Sequence, residues 1–342
     1  MLALLVLAVS AEGVRGAAGQ AETVSSYNLG QTLLPNDGPL GPVPARLWGV
    51  IGVPDEPGRH PLVVVAHGRH GDGCPVNDQD FPTWPCFDIE QRNDFGLRHL
   101  VAALAPRGLI AVGPDLNAAF TAGWGEPTEF ARWPPIVNRT IGAIVREAED
   151  GAGRFGVELL DRVDPRRIAV LGHSLSGFNA ARFARRRADN DAPQQIAGGR
   201  GPLDSLFLLT PIARNAMLPD LETAVVVASC DGDVGEQGRR YLHRAREAER
   251  RRPLFLAELH RANHNYFNRT LARLGFDDAV GMRGACRRAR RLGAHRQQTW
   301  LDRAVSDFFA ATLLGDPRPR WLRLRGRLPS RAYGLRVTIE RD

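Results

Sequence analysis

The chain has 342 residues, of which 43% are hydrophobic and 24% are charged, and these values exclude a fibrous or a disordered protein. All 45 basic residues are arginines, and the net charge is +7. The excess lies in residues 239–342, which carry 25 arginines against 10 acidic residues. Such a segment attracts anionic surfaces or polymers. The sequence contains no zinc-finger spacing, RNP-like segment or basic and aromatic interleaving, so we expect no nucleic-acid partner.

The first residues resemble a secretory signal. An apolar run from Leu2 to Val9 is followed by small residues; it is too short to span a bilayer and lacks a charged start, but fits the apolar core and cleavage zone of a signal peptide. Cleavage after Ser10, Ala18 or Ala21 stays open, and an apolar first strand or a frayed tail is the alternative. We predict a signal peptide at 1–21, export to the periplasm or the medium, and no stable membrane insertion.

Apolar segments alternate with helical segments through the middle of the chain. The predicted strands are 45–53, 61–68, 109–116, 166–173, 203–210, 223–229 and 253–259. The predicted helices lie near 93–106, 138–153, 176–189, 236–252 and 297–314. Continuously apolar strands are typical of a sheet covered on both faces. The alternation therefore predicts an α/β domain over 22–315, with a mostly parallel central sheet and helices on both faces.

Three segments do not follow this alternation. Residues 69–92 and 265–296 are predicted as long loop insertions, which in compact domains are usually functional or disordered. We consider 265–296 a candidate lid. Residues 316–342 form a basic extension whose apolar alternation predicts a C-terminal β-hairpin. The sequence gives no indication of the oligomeric state.

Four cysteines suit an oxidising compartment, and the lack of a C-x-x-C pair argues against structural zinc. Cys74 and Cys86 bracket a loop rich in Pro, Trp and Asp, which a local disulfide would hold. Cys230 and Cys286 would then pair by default. Four buried free thiols are the alternative.

The segment Gly172-His173-Ser174-Leu175-Ser176-Gly177 follows a predicted strand and precedes a predicted helix. In a nucleophile elbow, the positions two before and two after the serine must be small. Gly172 and Ser176 satisfy this around Ser174, whereas Ser176 as nucleophile would put Phe178 at the crowded position. Ser174 is therefore the candidate nucleophile. A Gly-Ser turn without chemistry is the alternative.

An acid is expected after the strand at 223–229, because a serine needs a base and the base needs an orienting carboxylate. Asp231 and Asp233 are both present there. Asp231 stands closer to the strand and is preferred. Asp233 is the alternate, since Asp-Gly-Asp is also ordinary turn chemistry.

The base is expected after the strand at 253–259. His260 lies at the strand end, where packing or surface exposure is the simpler role, and His264 follows in a loop between polar residues. His264 is therefore the candidate base.

The oxyanion of an acyl transfer needs two fixed backbone donors. The N–H of Leu175, at the helix start, is one candidate. The loop after the strand at 61–66 should supply the other. Arg69 is preferred because Gly68 allows close backbone approach, and His70 is the alternate.

Five aromatic residues lie in predicted loops near strand ends. They would line an apolar acyl cleft or belong to the core, and the sequence leaves both readings open. These residues are Trp84, Phe87, Trp124, Phe130 and Trp133.

The segments VVVAHGRHG, VLGHSLSG, SCDGDV and RANHNYFN resemble the α/β-hydrolase fold in order and spacing, over about residues 45–314. HGRHGDGC, CDGDV and ANHNYFN are similar to secreted bacterial hydrolases of the esterase or lipase type. The resemblance implies a Ser174, Asp231 and His264 triad, an Arg69 and Leu175 oxyanion hole, and no cofactor. The substrate is expected to be an ester, with lipid-like and polymeric esters as candidates and its acyl and alcohol groups left open. Ser176 departs from the usual glycine. A peptidase or acyltransferase on the same fold, and a non-catalytic binding protein, are the alternatives.

Overall fold

The computed structural model describes residues 24–36, 41–70, 84–86, 90–121, 129–189, 202–214 and 218–342. The predicted signal peptide at 1–21 lies outside these residues. So do Cys74 and most of the predicted insertion at 69–92, so the Cys74–Cys86 disulfide stays a prediction.

Ten strands form one sheet in the order β1-β2-β4-β3-β5-β6-β7-β8-β10-β9. Their bounds are β1 Val24–Leu34, β2 Val43–Gly52, β3 His60–Ala66, β4 Ile110–Pro114, β5 Val163–His173, β6 Ser205–Leu209, β7 Glu222–Ala228, β8 Leu254–Leu259, β9 Arg331–Ala332 and β10 Leu335–Arg341. Each strand of the predicted α/β alternation is present, and β1 was not predicted.

The sheet is mixed, so the prediction of a mostly parallel sheet was wrong. The six strands from β4 to β8 are mutually parallel. β1 and β2 at one edge and β10 and β9 at the other pair antiparallel. Connection length accounts for the outermost pair at each edge, because β1–β2 and β9–β10 are joined by short links and a parallel pair needs a long crossover.

Helices cover both faces of the sheet, as predicted. Their bounds are α1 Arg98–Leu104, α2 Glu129–Asp150, α3 Leu175–Ala188, α4 Arg239–Glu247, α5 Arg269–Arg273 and α6 Ala294–Phe309, which continues as a π-helical turn over Ala310–Leu314. α2, α3 and α4 pack on one face and α1 and α6 on the other. Successive residues of β3 enter opposite cores, Val64 the first and Val63 the second, as the pleat requires.

The C-terminal extension contributes the predicted hairpin. β9 and β10 pair antiparallel, and β10 joins the main sheet beside β8. Trp321 and Leu322, predicted within the alternating pattern, instead form a short 3-10 turn and are buried. The extension therefore closes the sheet edge next to β8.

The segment 265–296 contains α5 and several 3-10 turns. The predicted disulfide between Cys230 and Cys286 is confirmed, with a Cα–Cα distance of 5.3 Å. It links this segment to the turn that follows β7. Within the described ranges, no helix is long and apolar enough to cross a bilayer.

Candidate active site

Ser174 occupies the turn between β5 and α3. Its backbone has φ 56° and ψ −122°, a conformation that costs a non-glycine residue about 1–3 kcal/mol and clusters at functional sites. Hydrogen bonds hold the turn: the Ser174 N–H donates to the Leu209 carbonyl at 2.9 Å, and the Ser174 carbonyl accepts from Gly177 N–H at 2.9 Å. The strained backbone at Ser174 is thus fixed by the strands and helix around it.

The glycines around Ser174 explain why the second one comes a residue late. A Cβ on Gly172 would collide with the Ser176 carbonyl, and one on Gly177 would lie 2.6 Å from the Pro211 Cβ. Both positions therefore need glycine. Ser176, at the position that the motif reserves for a small residue, is fully buried and fits there.

The Ser176 side chain connects α2, α3 and the end of β3. Its Oγ accepts a hydrogen bond from Trp133 Nε1 at 2.9 Å and donates to the His67 carbonyl at 2.5 Å. All three residues are fully buried. Ser176 is therefore a structural link between the Ser174 turn and the loop that follows β3.

His67 holds that loop through its ring. Its Nε2 accepts from the Leu116 N–H at 2.8 Å, so its Nδ1 carries the proton and donates to the Gly68 carbonyl at 2.8 Å. In a trans peptide the C=O and the next N–H point in opposite directions. The His67 ring thereby sets the direction of the Arg69 N–H, the predicted oxyanion donor.

The loop after β3 packs directly against Ser174. A Cβ on Gly68 would lie 2.7 Å from the Ser174 Cβ and 3.1 Å from the His173 carbonyl. Leu175, the second predicted donor, is the first residue of α3, where the N–H has no carbonyl one turn earlier to bond. The structure thus brings the segments carrying Arg69 and Leu175 next to Ser174.

His264 and Asp231 form a buried pair. His264 Nδ1 and Asp231 Oδ2 are 3.0 Å apart, and each side chain is 1% exposed. Asp231 Oδ1 accepts from the N–H groups of Val234 at 2.7 Å and Asp233 at 3.0 Å. Both oxygens are therefore used, and the carboxylate has one orientation.

The electrostatics of the pair give each group a definite state. Burial would raise the pKa of Asp231, but hydrogen bonds from His264 and from backbone N–H groups lower it below its usual value. Burial would lower the pKa of His264, but the hydrogen bond and charge of Asp231 raise it above its usual value, and Asp233 and Asp278 add to this. Since an ionised carboxylate only accepts, His264 Nδ1 carries a proton. In the neutral ring, Nε2 then holds the lone pair.

The structure places the alternative acid, Asp233, and the other histidine of the base loop, His260, differently from the Asp231–His264 pair. Asp233 is mostly exposed, at 58% of its side chain, and its Oδ2 lies 3.6 Å from His264 Nε2. His264 Nε2 is buried and has no hydrogen-bond partner among the described residues. His260 bonds Thr338 Oγ1 at 2.8 Å through its own Nε2, so the structure does not bring it to the Ser174 turn.

Asp278 was missed by the sequence analysis. Its two oxygens accept the N–H groups of His264 at 3.1 Å, Asn265 at 2.9 Å and Gly232 at 2.9 Å. It therefore holds the acid loop and the histidine loop together from within the segment 265–296. The acidic pair at 277–278, in a segment otherwise rich in arginine, was the available signal.

The rings of His173 and His70 form a chain of contacts that begins at the His264 ring. The ring centroid of His173 lies 4.7 Å from that of His264 and 5.3 Å from that of His70. Burial lowers the pKa of both His70 and His173 well below the usual value, and the charge of His264 lowers them further. They stay neutral beside a protonated His264. Among the described residues, no group of three or more His, Cys, Asp or Glu side chains is arranged so that it could hold a metal ion.

The aromatic candidates belong to the core where they are described. Trp84, Phe130 and Trp133 are at most 6% exposed, and Trp133 bonds Ser176. Phe87 and Trp124 lie outside the described residues.

Comparison with models of known protein families gives no match for this chain, and comparison with curated protein sequences gives none either.

Proposed function

We propose that the chain is a secreted serine hydrolase of the α/β-hydrolase fold that cleaves carboxylic esters. The observation that carries this is the buried His264, whose Nδ1 is hydrogen-bonded to the ionised Asp231 while its Nε2 has no hydrogen-bond partner among the described residues. The ring of His173, which directly precedes Ser174, contacts the His264 ring. A histidine base with a fixed tautomer and a serine on a neighbouring strained turn are the groups that nucleophilic acyl transfer requires.

The fold and the compartment also support the proposal. Ser174, Asp231 and His264 follow β5, β7 and β8, at the carboxyl ends of the parallel strands, where ligands bind in α/β sheets. Disulfides persist in oxidising compartments, so the Cys230–Cys286 bond agrees with the signal predicted at 1–21.

In the proposed reaction, His264 Nε2 takes the proton from Ser174 Oγ as the oxygen attacks the ester carbonyl. The N–H groups of Arg69 and Leu175 stabilise the oxyanion. His264 then protonates the leaving alcohol, and the acyl group remains on Ser174. Water, deprotonated by His264, hydrolyses this acyl-enzyme, while Asp231 keeps the ring oriented and stabilises its charge.

The test is Ser174→Ala on a p-nitrophenyl ester. We expect turnover to fall by about 10³-fold or more, with unchanged circular dichroism. Ser330→Ala, at an exposed position, is the matched control and should retain full activity. A fluorophosphonate probe should label the native chain and the control but not Ser174→Ala. Undiminished turnover in Ser174→Ala would overturn the proposal, and absent labelling of the native chain would favour a non-catalytic binding protein.

A paired substrate set separates the related enzyme classes. The ester and the matching p-nitroanilide share the acyl group and differ in the leaving group. We expect ester cleavage to be faster than anilide cleavage and unaffected by added alcohol. Faster anilide cleavage would indicate a peptidase, and ester product formed with added alcohol would indicate an acyltransferase.

A further inference from the structure

Residues 274–280, the apolar loop, expose three large hydrophobic side chains within seven positions. Leu274 is 51% exposed, Phe276 54% and Val280 78%. Single exposed hydrophobic residues are ordinary, but a group of them marks an interaction surface. Between them, Ala279 is buried and anchors the loop to the domain.

Within the segment 269–296, which contains this loop, the exposed charges are positive. Residues 269–296 contain eight arginines and two acidic residues. Asp277 pairs with Arg291 and accepts from Asn263, and both Asp278 oxygens accept backbone N–H groups. The two carboxylates are therefore engaged within the domain, and the exposed charges of this segment are guanidinium groups.

Two adjoining cavities form the arginine cleft. The first lies between the segment 269–296 and the β9–β10 hairpin, and the second is lined by residues 320–331. One of about 330 Å³ is lined by Arg261, Arg296, Arg331 and Arg336, with no acidic residue in its lining. Arg331 also lines the second, of about 440 Å³, with Arg320, Arg323 and Arg327. Leu324, between two of these arginines, is 51% exposed. A cleft of this composition suits phosphate groups, which guanidinium binds in a bidentate way.

The apolar loop and the arginine cleft are joined by the short stretch 290–292. Arg291 holds Asp277 of the loop. The Leu292 N–H donates to the Arg261 carbonyl at 2.8 Å, and the Arg261 side chain donates to the Arg290 carbonyl. The Cys230–Cys286 disulfide fixes the same segment to the domain. The two features therefore belong to one rigid surface.

We propose that the apolar loop and the arginine cleft form a docking site for an anionic lipid surface, with headgroup phosphates in the cleft and the loop's exposed side chains among the acyl chains. A soluble anionic polymer would need only the arginines and would leave Leu274, Phe276 and Val280 in water. A lipid surface uses both, since apolar insertion and attraction to anionic headgroups add together. Because Asp278 ties this segment to the His264 loop, docking sets the candidate active site beside the lipid. The docking site does not depend on the proposed hydrolysis.

The test is sedimentation of the full chain with vesicles of phosphatidylcholine, with and without phosphatidylglycerol. We expect binding only with phosphatidylglycerol, weakened by salt. Arg296→Gln/Arg336→Gln should raise the dissociation constant about thirtyfold, from two arginines near an anionic surface. Its control, Arg139→Gln/Arg146→Gln, makes the same charge change at exposed positions of α2, across the sheet, and should bind as the native chain does.

The apolar contribution is tested by Phe276→Ser/Val280→Ser, which should also weaken vesicle binding. Its control is Leu160→Ser, at a hydrophobic residue that is 46% exposed elsewhere. Ser174→Ala should bind like the native chain, which separates docking from hydrolysis. The proposal is overturned if the chain does not bind vesicles, or if the arginine control loses as much binding as Arg296→Gln/Arg336→Gln. It is also overturned if the chain binds dextran sulfate as tightly as vesicles and Phe276→Ser/Val280→Ser leaves vesicle binding unchanged. That last result would indicate an anionic polymer as the partner.

Discussion

The ends of β3 and β8 each place a buried histidine near the Ser174 turn, but the two histidines differ in their partners. Among the described residues, the His67 ring is hydrogen-bonded only to backbone groups, and burial lowers its pKa to about 4. His264 is equally buried, yet Asp231 raises its pKa above the usual value. A buried imidazole thus becomes a base only where a carboxylate offsets the loss of water. His67 is a neutral structural ring, and His264 is the group able to take a proton.

The largest effect on activity is expected when His264 loses the carboxylate that distinguishes it from His67. Asp231→Asn leaves His264 with a neutral partner, as His67 has, and no longer stabilises the charged ring. We expect kcat for p-nitrophenyl ester hydrolysis to fall about 10³–10⁴-fold, because the ring can adopt the wrong tautomer and its positive charge is no longer stabilised. Asp233→Asn is the control and should retain most of the activity near neutral pH. A rate in Asp231→Asn within about tenfold of the native one would contradict the assignment of Asp231.

The candidate catalytic residues were easier to predict from the sequence than the residues that hold them in place. The order of serine, acid and histidine follows from which strands precede Ser174, Asp231 and His264, since parallel strands bring their carboxyl ends together. The link from Trp133 to Ser176 spans 43 residues and has no local pattern. The acidic pair at 277–278 marks Asp278 in the sequence, but the backbone N–H groups that it binds lie in other loops and have no sequence pattern.

In the fold, the strands at the edges of the sheet were likewise harder to predict from the sequence than the central strands. The central strands are continuously apolar because both faces are covered, and they were predicted. β1 pairs on one side only, with a register shift between Asn28 and Gln31, and most of its side chains are not buried. Its sequence therefore lacks the apolar signal. β9 has two residues and exists because β10 pairs with it.

A second, smaller effect is expected at the β3 end, from Ser176→Gly. The change leaves the Trp133 N–H and the His67 carbonyl without the partner they share, and a buried unpaired group costs about 1–3 kcal/mol. We expect the free energy of unfolding in urea to fall by about 2–4 kcal/mol. The kcat should change less than tenfold, about 1.4 kcal/mol, because the His67 ring still holds Gly68.

The control is the double variant with Trp133→Phe, which removes the orphaned indole donor. Adding Trp133→Phe to Ser176→Gly should cost less stability than adding it to the native chain, as a double-mutant cycle measures. Equal stability of Ser176→Gly and the native chain would show that the glycine motif at this position is interchangeable with serine, and that the link contributes nothing.

The smallest effect is expected from Asp233→Asn. This variant removes one carboxylate charge near His264, and so tests how far nearby charge sets the pKa of His264 apart from that of His67. Asp233 lies 3.6 Å from His264 Nε2 and raises the pKa of His264, but its exposure to water screens it. Removing its charge lowers that pKa, so the deprotonated base persists to lower pH. The acidic limb of kcat/KM should therefore move to lower pH, and less so in high salt. Asp161→Asn, at a carboxylate that is 78% exposed, is the control and should leave the limb in place. A limb that stays in place or moves upward with Asp233→Asn would mean that the Asp233 charge does not raise the pKa of His264.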